Sequence, residues 1–275
     1  MLTYTTYRNE TTKQWLTFVH GASADASVWS FQIDFFRKYY NVLVLDFKGF
    51  TSEEIEKTTS SNFTFEYVAS EVVNVLDMER IDQSHFVGTS LGNIIIRQLL
   101  EDIPDRMNGV IMTSAILHFN LMISMLLYLN IFLQRFIPHR ILYAVTMVTS
   151  TPMPCNKPTR EHFFANLHNI SKDSYKLWLR LAKENFALMH FFNLIGLRSE
   201  VLFISGNQDY IFLPYVKKFV KANKSATLKI IQRSGHGVNI DKKDVYNETV
   251  LEYFREIEQR DRYVQSSFYN SVVSR

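Results

Sequence analysis

The sequence predicts an α/β fold, a mostly parallel central sheet with helices on both faces and an inserted helical segment. Three observations carry this. Short apolar runs of strand length alternate with stretches of helical period, the pattern of parallel strands joined by crossover helices. The run V-G-T-S-L-G at Val87 to Gly92 sits directly between a strand-like run (His85, Phe86, Val87) and a helix-like run (Asn93 to Leu100). Six of the nine glycines fall in four short signatures, His20-Gly21, Gly88-x-Ser90-x-Gly92, Gly206-Asn207-Gln208-Asp209 and Gly235-His236-Gly237. A glycine-poor chain has placed them where strand ends must turn tightly.

In chain order, Leu2 to Tyr7 alternates as a strand and Arg8 to Gln14 is a polar turn. Trp15 to Val19 is a second strand, ending at His20-Gly21. Asn41 to Phe47 is an apolar run of strand length, as expected for a strand buried on both faces. Phe65 to Met78 carries Val68, Val72, Val75 and Leu76 at helical spacing. The strand into Ser90 is followed by a helix to about Ile103, with Pro104 just beyond. Met107 to Ala115, Val201 to Ser205 and Ala226 to Gln232 read as further strands, and Asp241 to Ile257 as the last amphipathic helix. The tail after Arg260 is polar and is expected to fray.

Length and composition bound the rest. At 275 residues, with 47% hydrophobic and 21% charged residues, the chain can bury a substantial core. A net charge of +3 without a Lys/Arg block argues against a nucleic-acid partner. The single cysteine, Cys155, precludes an internal disulfide and fits a reducing, cytoplasmic setting. The N-terminus lacks the basic-then-apolar pattern of an export signal. No charged residue occurs between Arg106 and Arg135. Within that stretch, Ile116 to Leu133 approaches the length of a spanning helix but is interrupted by His118, Asn120, Ser124 and Asn130. It reads as a buried or lid helix rather than a membrane contact. Residues 117–198 show no clear strand and hold four of the six prolines, so they are expected to form a helical cap inserted into a core made of residues 1–116 and 199–275. Nine basic against three acidic residues give this insertion a net +6. Solvated helix faces explain that excess, and attraction of an anionic substrate or partner is the alternative.

The candidate chemistry is nucleophilic. A serine hydroxyl needs a base to take its proton, and the base needs a group that holds its tautomer. Ser90 stands at a strand-to-helix turn that would expose its hydroxyl. His236, between two glycines after the last strand, is the best placed base. Asp209, after the strand Val201 to Ser205, is the best placed orienting acid. The order Ser, Asp, His puts each group just beyond the carboxyl end of a parallel strand, where open α/β sheets build their sites. The oxyanion donors expected are the backbone amides of Leu91, at a helix start, and of Ala22, after His20-Gly21. His20 reads as a structural loop residue and His85 as lying at the far end of its strand. No metal or organic cofactor is expected, since the histidines lack ligand spacing.

On these residues the chain resembles the α/β-hydrolase superfamily, in particular its capped, esterase-like members. The segments that carry the resemblance are H-G-A-S-A-D-A-S-V-W (His20 to Trp29), V-L-V-L-D-F-K-G (Val42 to Gly49), F-V-G-T-S-L-G (Phe86 to Gly92), F-I-S-G-N-Q-D (Phe203 to Asp209) and S-G-H-G-V-N-I-D (Ser234 to Asp241). The resemblance implies a triad of Ser90, Asp209 and His236, an oxyanion hole at Ala22 and Leu91, and a packing role for Trp29. Asn93 departs from the small residue usual after the elbow, Lys48 from a common Arg, and Thr51 from the usual second Gly. The chain also looks one strand short of the family's eight. The reaction implied is hydrolysis of a carboxylic ester, thioester or lactone through an acyl-enzyme. C–C bond hydrolysis, acyl transfer, lyase chemistry and ligand sensing with negligible turnover remain as alternatives. Aromatic residues of the insertion, among them Phe132, Phe136, Tyr143, Phe164, Trp178 and Phe191, suggest a small-molecule acyl substrate with an apolar or aromatic group. The oligomeric state is left open.

Overall fold

Seven strands form one sheet in the order β1-β3-β2-β4-β5-β6-β7. They are β1 (Thr3–Tyr7), β2 (Trp15–Val19), β3 (Asn41–Asp46), β4 (Ser84–Thr89), β5 (Met107–Thr113), β6 (Val201–Gly206) and β7 (Ala226–Ile231). Only β1 pairs antiparallel, with β3; the other five pairings are parallel. The computed structural model describes residues 2–21, 25–47, 64–119 and 121–273, apart from the side chains of 122, 184–187 and 264–273.

The helices follow from the apolar period of the chain. They are α1 (Ser30–Phe36), α2 (Phe65–Met78), α3 (Gly92–Asp102), α4 (Leu121–Leu133), α5 (His139–Ser150), α6 (Lys157–Ala165), α7 (Lys172–Ile195), α8 (Leu213–Ala222), α9 (Val238–Asp241) and α10 (Lys243–Val273). The inner strands are apolar throughout because both of their faces are covered. β2 sends Trp15 and Val19 into one core and Leu16 and Phe18 into the other, and β3 divides its side chains likewise. This is the two-residue alternation of a pleated strand. Val68 and Val72 of α2, Ile95 and Leu99 of α3 and Val216 of α8 pack the first face. Phe36 of α1 and Tyr246, Val250 and Phe254 of α10 pack the second, with Trp29 fully buried against Phe18 at a ring separation of 4.8 Å.

Strand order decides where a site can form. From β2 the chain moves through α1 to β3 on one side; from β4 it moves through α3 to β5 on the other. β2 and β4 are neighbours, so their carboxyl ends open on a switch-point crevice. The opposite end of β4 is closed by α10. There Glu258 accepts hydrogen bonds from Tyr40 Oη at 2.9 Å and pairs with His85 Nε2 at 3.2 Å, and the His85 ring stacks on Phe254. Burial works against the charged Glu258 carboxylate, but the hydrogen bonds from His85 and Tyr40 outweigh it and hold its pKa below the ordinary value. His85 is thus far from Ser90, as its position in the strand suggested.

Two expectations are corrected. The tail after Arg260, expected to fray, is helical: α10 continues to Val273, and no Gly or Pro follows Gly237 to interrupt it. The apolar run Ile116 to Leu133, expected as a buried or lid helix, is helical only from Leu121. Ile116 is buried, but α4 starts only at Leu121, and Leu121, Met125, Leu126, Tyr128, Leu129 and Phe132 are exposed. The helix packs through Ile123, Leu127 and Leu133 and through Asn130, which hydrogen-bonds Tyr175 of α7 and Thr146 of α5, and it carries a second apolar side outward. No helix among the described residues is long and apolar enough to cross a membrane.

Replacing Glu258 with Leu leaves the Tyr40 hydroxyl and the His85 ring without their shared acceptor, and should lower unfolding stability by about 1–3 kcal/mol. Thermal denaturation followed by circular dichroism measures the loss. A carboxylate with a lowered folded pKa stabilises above its unfolded value, so the gap between wild type and variant should narrow only as the pH falls below about 4.5.

Candidate active site

The site is built around the bend between β4 and α3. Ser90 takes a left-handed backbone conformation, φ 54°, which a non-glycine residue adopts only when its surroundings impose it. The surroundings do so through close packing. A β-carbon at Gly92 would lie 2.4 Å from the His20 carbonyl oxygen and 2.7 Å from that of Val19, so only glycine lets the start of α3 press against the end of β2. A β-carbon at Gly88 would lie 2.6 Å from Asn93 Oδ1 and 2.7 Å from Ile96 Cδ1. The Ser90 N–H donates to the Thr113 carbonyl at 3.0 Å, and Asn93 Nδ2 donates to the same oxygen at 2.8 Å. Asn93, an unusual residue for this position, therefore ties the first turn of α3 to β5.

Three strand ends bring the polar groups together. The His236 ring lies with Nε2 3.1 Å from Ser90 Oγ and Nδ1 2.8 Å from Asp209 Oδ2. Asp209 is buried after β6, and its second oxygen accepts the Phe212 N–H at 3.2 Å. An ionised carboxylate can only accept, so Nδ1 carries the ring proton and Nε2 is free to accept from the serine hydroxyl. Phe212 also covers the imidazole, with ring centroids 5.0 Å apart. Leu91 stands at the N-cap of α3, where backbone N–H groups lack helical acceptors and the helix dipole is positive. The Ala22 amide lies outside the described residues, as do Lys48 and Thr51. Gly21 is placed directly against Ser90; a β-carbon there would sit 2.8 Å from Ser90 Cβ.

His20 has the structural role its position suggested. It is fully buried, its Nε2 accepts the Phe47 N–H at 3.1 Å, and its Nδ1 therefore donates to the Gly21 carbonyl at 2.8 Å. Both nitrogens are occupied in the neutral form, so it is no base.

The sequence reading assigned no role to four residues that hold the His236 loop. Ser114, also left-handed at φ 47°, donates from Oγ to the His236 carbonyl at 2.6 Å. On the other side Asp241 accepts from the Gly235 N–H at 3.0 Å, from Asn156 Nδ2 at 2.9 Å and from Thr159 Oγ1 at 2.6 Å. Thr159 Oγ1 also approaches the Gly237 carbonyl at 3.2 Å. Asn156 and Thr159 belong to the segment between β5 and β6, about eighty residues from Asp241, and no local pattern announces such a contact.

Three of the nine basic residues of that segment have partners within it. Arg140 donates to the His168 carbonyl, Arg160 to those of Thr151 and Met153, and Lys157 pairs with Glu161. Four of the aromatic residues expected in a pocket, Phe132, Phe136, Phe164 and Phe191, are solvent-exposed. A cavity of about 530 Å³ lies between α2, α3 and α7, bordered by Phe65, Gln98, Leu188 and Phe191, and none of Ser90, Asp209 and His236 lines it. Among the described residues no group of three His, Cys, Asp or Glu side chains is arranged to hold a metal ion.

The fold and this constellation define an α/β hydrolase. The model of the alpha/beta hydrolase fold family matches residues 14–243, and the chain belongs to that family. It is 33% identical over 82 residues to an Acinetobacter baylyi protein, RutD, whose name assigns it carbamate hydrolysis. The matched region spans 30% of this chain and 30% of that relative. The crystal structure of an enol-lactonase from Burkholderia xenovorans is similar over 92% of this chain and 96% of its own, with 17% identity and a TM-score of 0.73. A thermophilic esterase from Thermogutta terrifontis is similar over 93% of each chain, with 16% identity and a TM-score of 0.75. At these identities the structural likeness speaks to the fold.

Substituting Asp241 with Ala removes the acceptor of four donors on two segments, the Gly235 N–H, Asn156 Nδ2 and the N–H and Oγ1 of Thr159. Hydrogen bonds to a charged group contribute about 1.5–3 kcal/mol, so the melting temperature should fall by roughly 4–8 °C. Differential scanning calorimetry measures it; an unchanged transition would show that Asp241 holds nothing in place.

Proposed function

We propose that the protein is a serine hydrolase that cleaves a carboxylic ester, thioester or lactone through an acyl-enzyme on Ser90. The observation that carries this is the continuous chain from Ser90 Oγ to His236 Nε2 at 3.1 Å and from His236 Nδ1 to Asp209 Oδ2 at 2.8 Å. In this reading Ser90 attacks the carbonyl carbon while His236 takes its proton. Asp209 holds the ring in the tautomer that leaves Nε2 free and stabilises the imidazolium that forms. The developing oxyanion rests on the Leu91 amide, with Ala22 the second donor. His236 then returns the proton to the leaving alcohol or thiol, and water deacylates the serine by the same route. Helices α4 to α7 act as the cap, and the Asn156 and Thr159 contacts with the Asp241 clamp link it to the histidine loop.

The substrate proposed is a small acyl compound. The enol-lactonase and esterase structures, which this chain resembles in fold, are consistent with ester and lactone chemistry.

A fluorophosphonate probe should label the native protein, and Ser90→Ala should abolish labelling while leaving the melting temperature within about 2 °C of wild type. With p-nitrophenyl esters, Asp209→Asn should lower kcat by about 10⁴ through the wrong imidazole tautomer. A native protein that neither labels nor turns over any ester of the panel would refute the proposal.

A further inference from the structure

The helical hairpin of α4 and α5 is apolar on its outward face as well as on the face that packs against the protein. α4 is apolar at almost every position, yet none of its described side chains is buried. Leu121 is 78% exposed, and Met125, Leu126, Leu129 and Phe132 are also exposed. Its other side packs on the protein through Ile123, Leu127 and Leu133, together with Asn130, which is bonded to Thr146 of α5 and Tyr175 of α7. Along α5, Ile141 and Val145 are exposed, while its hydroxyls are directed into its own helix. Thr146 Oγ1 donates to the Leu142 carbonyl, Thr149 Oγ1 to that of Val145 and Ser150 Oγ to that of Thr146, each at 2.8–2.9 Å. A surface helix in water carries polar residues on its outward face, and a helix apolar all round belongs in a core or in lipid.

The charge pattern selects the occupant. Between residues 107 and 156 the only charged residues are Arg135 and Arg140, and no Asp or Glu occurs from 106 to 160. Both arginines are exposed and flank the hairpin tip, where Phe136 is 72% exposed. A second copy of this chain would bring like charges to the same surface with no acid to pair them. An anionic lipid surface supplies both an apolar layer and negative headgroups. At about 1.5 Å per residue, α4 is about 20 Å long, short of the roughly 30 Å of a bilayer's hydrocarbon core, so it would lie along the interface.

We propose that the α4–α5 hairpin is a docking face for an anionic membrane surface, with Leu121, Met125, Leu126, Leu129, Phe132 and Phe136 entering the acyl layer and Arg135 and Arg140 at the headgroups. The hairpin adjoins the proposed active site, since Tyr210, next to Asp209, donates from its hydroxyl to the Thr149 carbonyl at 2.6 Å. The inference stands on the exposed surface and does not rest on the hydrolase reading.

The full chain is floated with vesicles of phosphatidylcholine alone and with vesicles containing about 30% phosphatidylglycerol, and its sedimentation is measured without lipid. It should float with the anionic vesicles and several-fold less with the neutral ones. Salt near 1 M, where screening shortens to about 3 Å, should weaken the flotation. Arg135→Gln should reduce partitioning about fivefold. The double variant Leu121→Glu, Phe136→Glu should abolish flotation with its melting transition and fluorophosphonate labelling matching wild type. Should the double variant fail to fold, Phe136→Ser alone should cut flotation. Wild type left in the aqueous fraction with both vesicle types would overturn the proposal. So would a variant that floats as wild type does, or a lipid-free dimer that the double variant splits, which would place a second copy on this face.

Discussion

The close approach of α3 to the end of β2 is the constraint on which the site depends. Two backbone segments meet at Gly92 with no room for a side chain, and the chain between them must bend sharply. That bend is what holds Ser90 in a left-handed conformation and turns its hydroxyl away from the sheet. The strain is local, but it is sustained by the whole parallel sheet, since β2 and β4 are neighbours only because the strand order reverses direction between them. A backbone conformation of this kind, costing of order 1–3 kcal/mol in isolation, persists only when packing over-determines it.

The histidine has a different kind of support. It sits on a loop, and a loop side chain is only as well placed as the groups that fix its backbone. Ser114 holds the His236 carbonyl from the end of β5, and Asp241 holds the Gly235 amide while gripping Asn156 and Thr159. The same carboxylate thus joins the histidine loop to the inserted helices. Displacement of those helices would be felt at His236 without any change in Ser90 or Asp209.

The α4–α5 hairpin departs from the consistency shown by the rest of the chain. In the core, each strand and helix turns its apolar side toward its neighbours. In the hairpin a second apolar side is turned outward, opposite the one formed by Ile123, Leu127, Leu142 and Tyr143. Such a local conflict is expected where an element serves contacts outside its own domain.

The sequence by itself determined the alternation of strands and helices, the burial of the inner strands and the placement of Ser90, Asp209 and His236 at strand ends, because these follow from local period, glycine position and chain order. It also placed His20 in a structural loop and His85 at the far end of β4. It did not reveal the outward face of α4, since an apolar run reads alike whether it meets a core, a lid or a lipid surface. Nor did it show the continuation of α10, where a polar tail without glycine or proline remains free to stay helical. Only the tertiary structure decided the clamp of Ser114, Asp241, Asn156 and Thr159, and the hydrogen-bonding distances among the three polar groups. Those depend on contacts between residues up to 146 positions apart, for which no local preference encodes a distance.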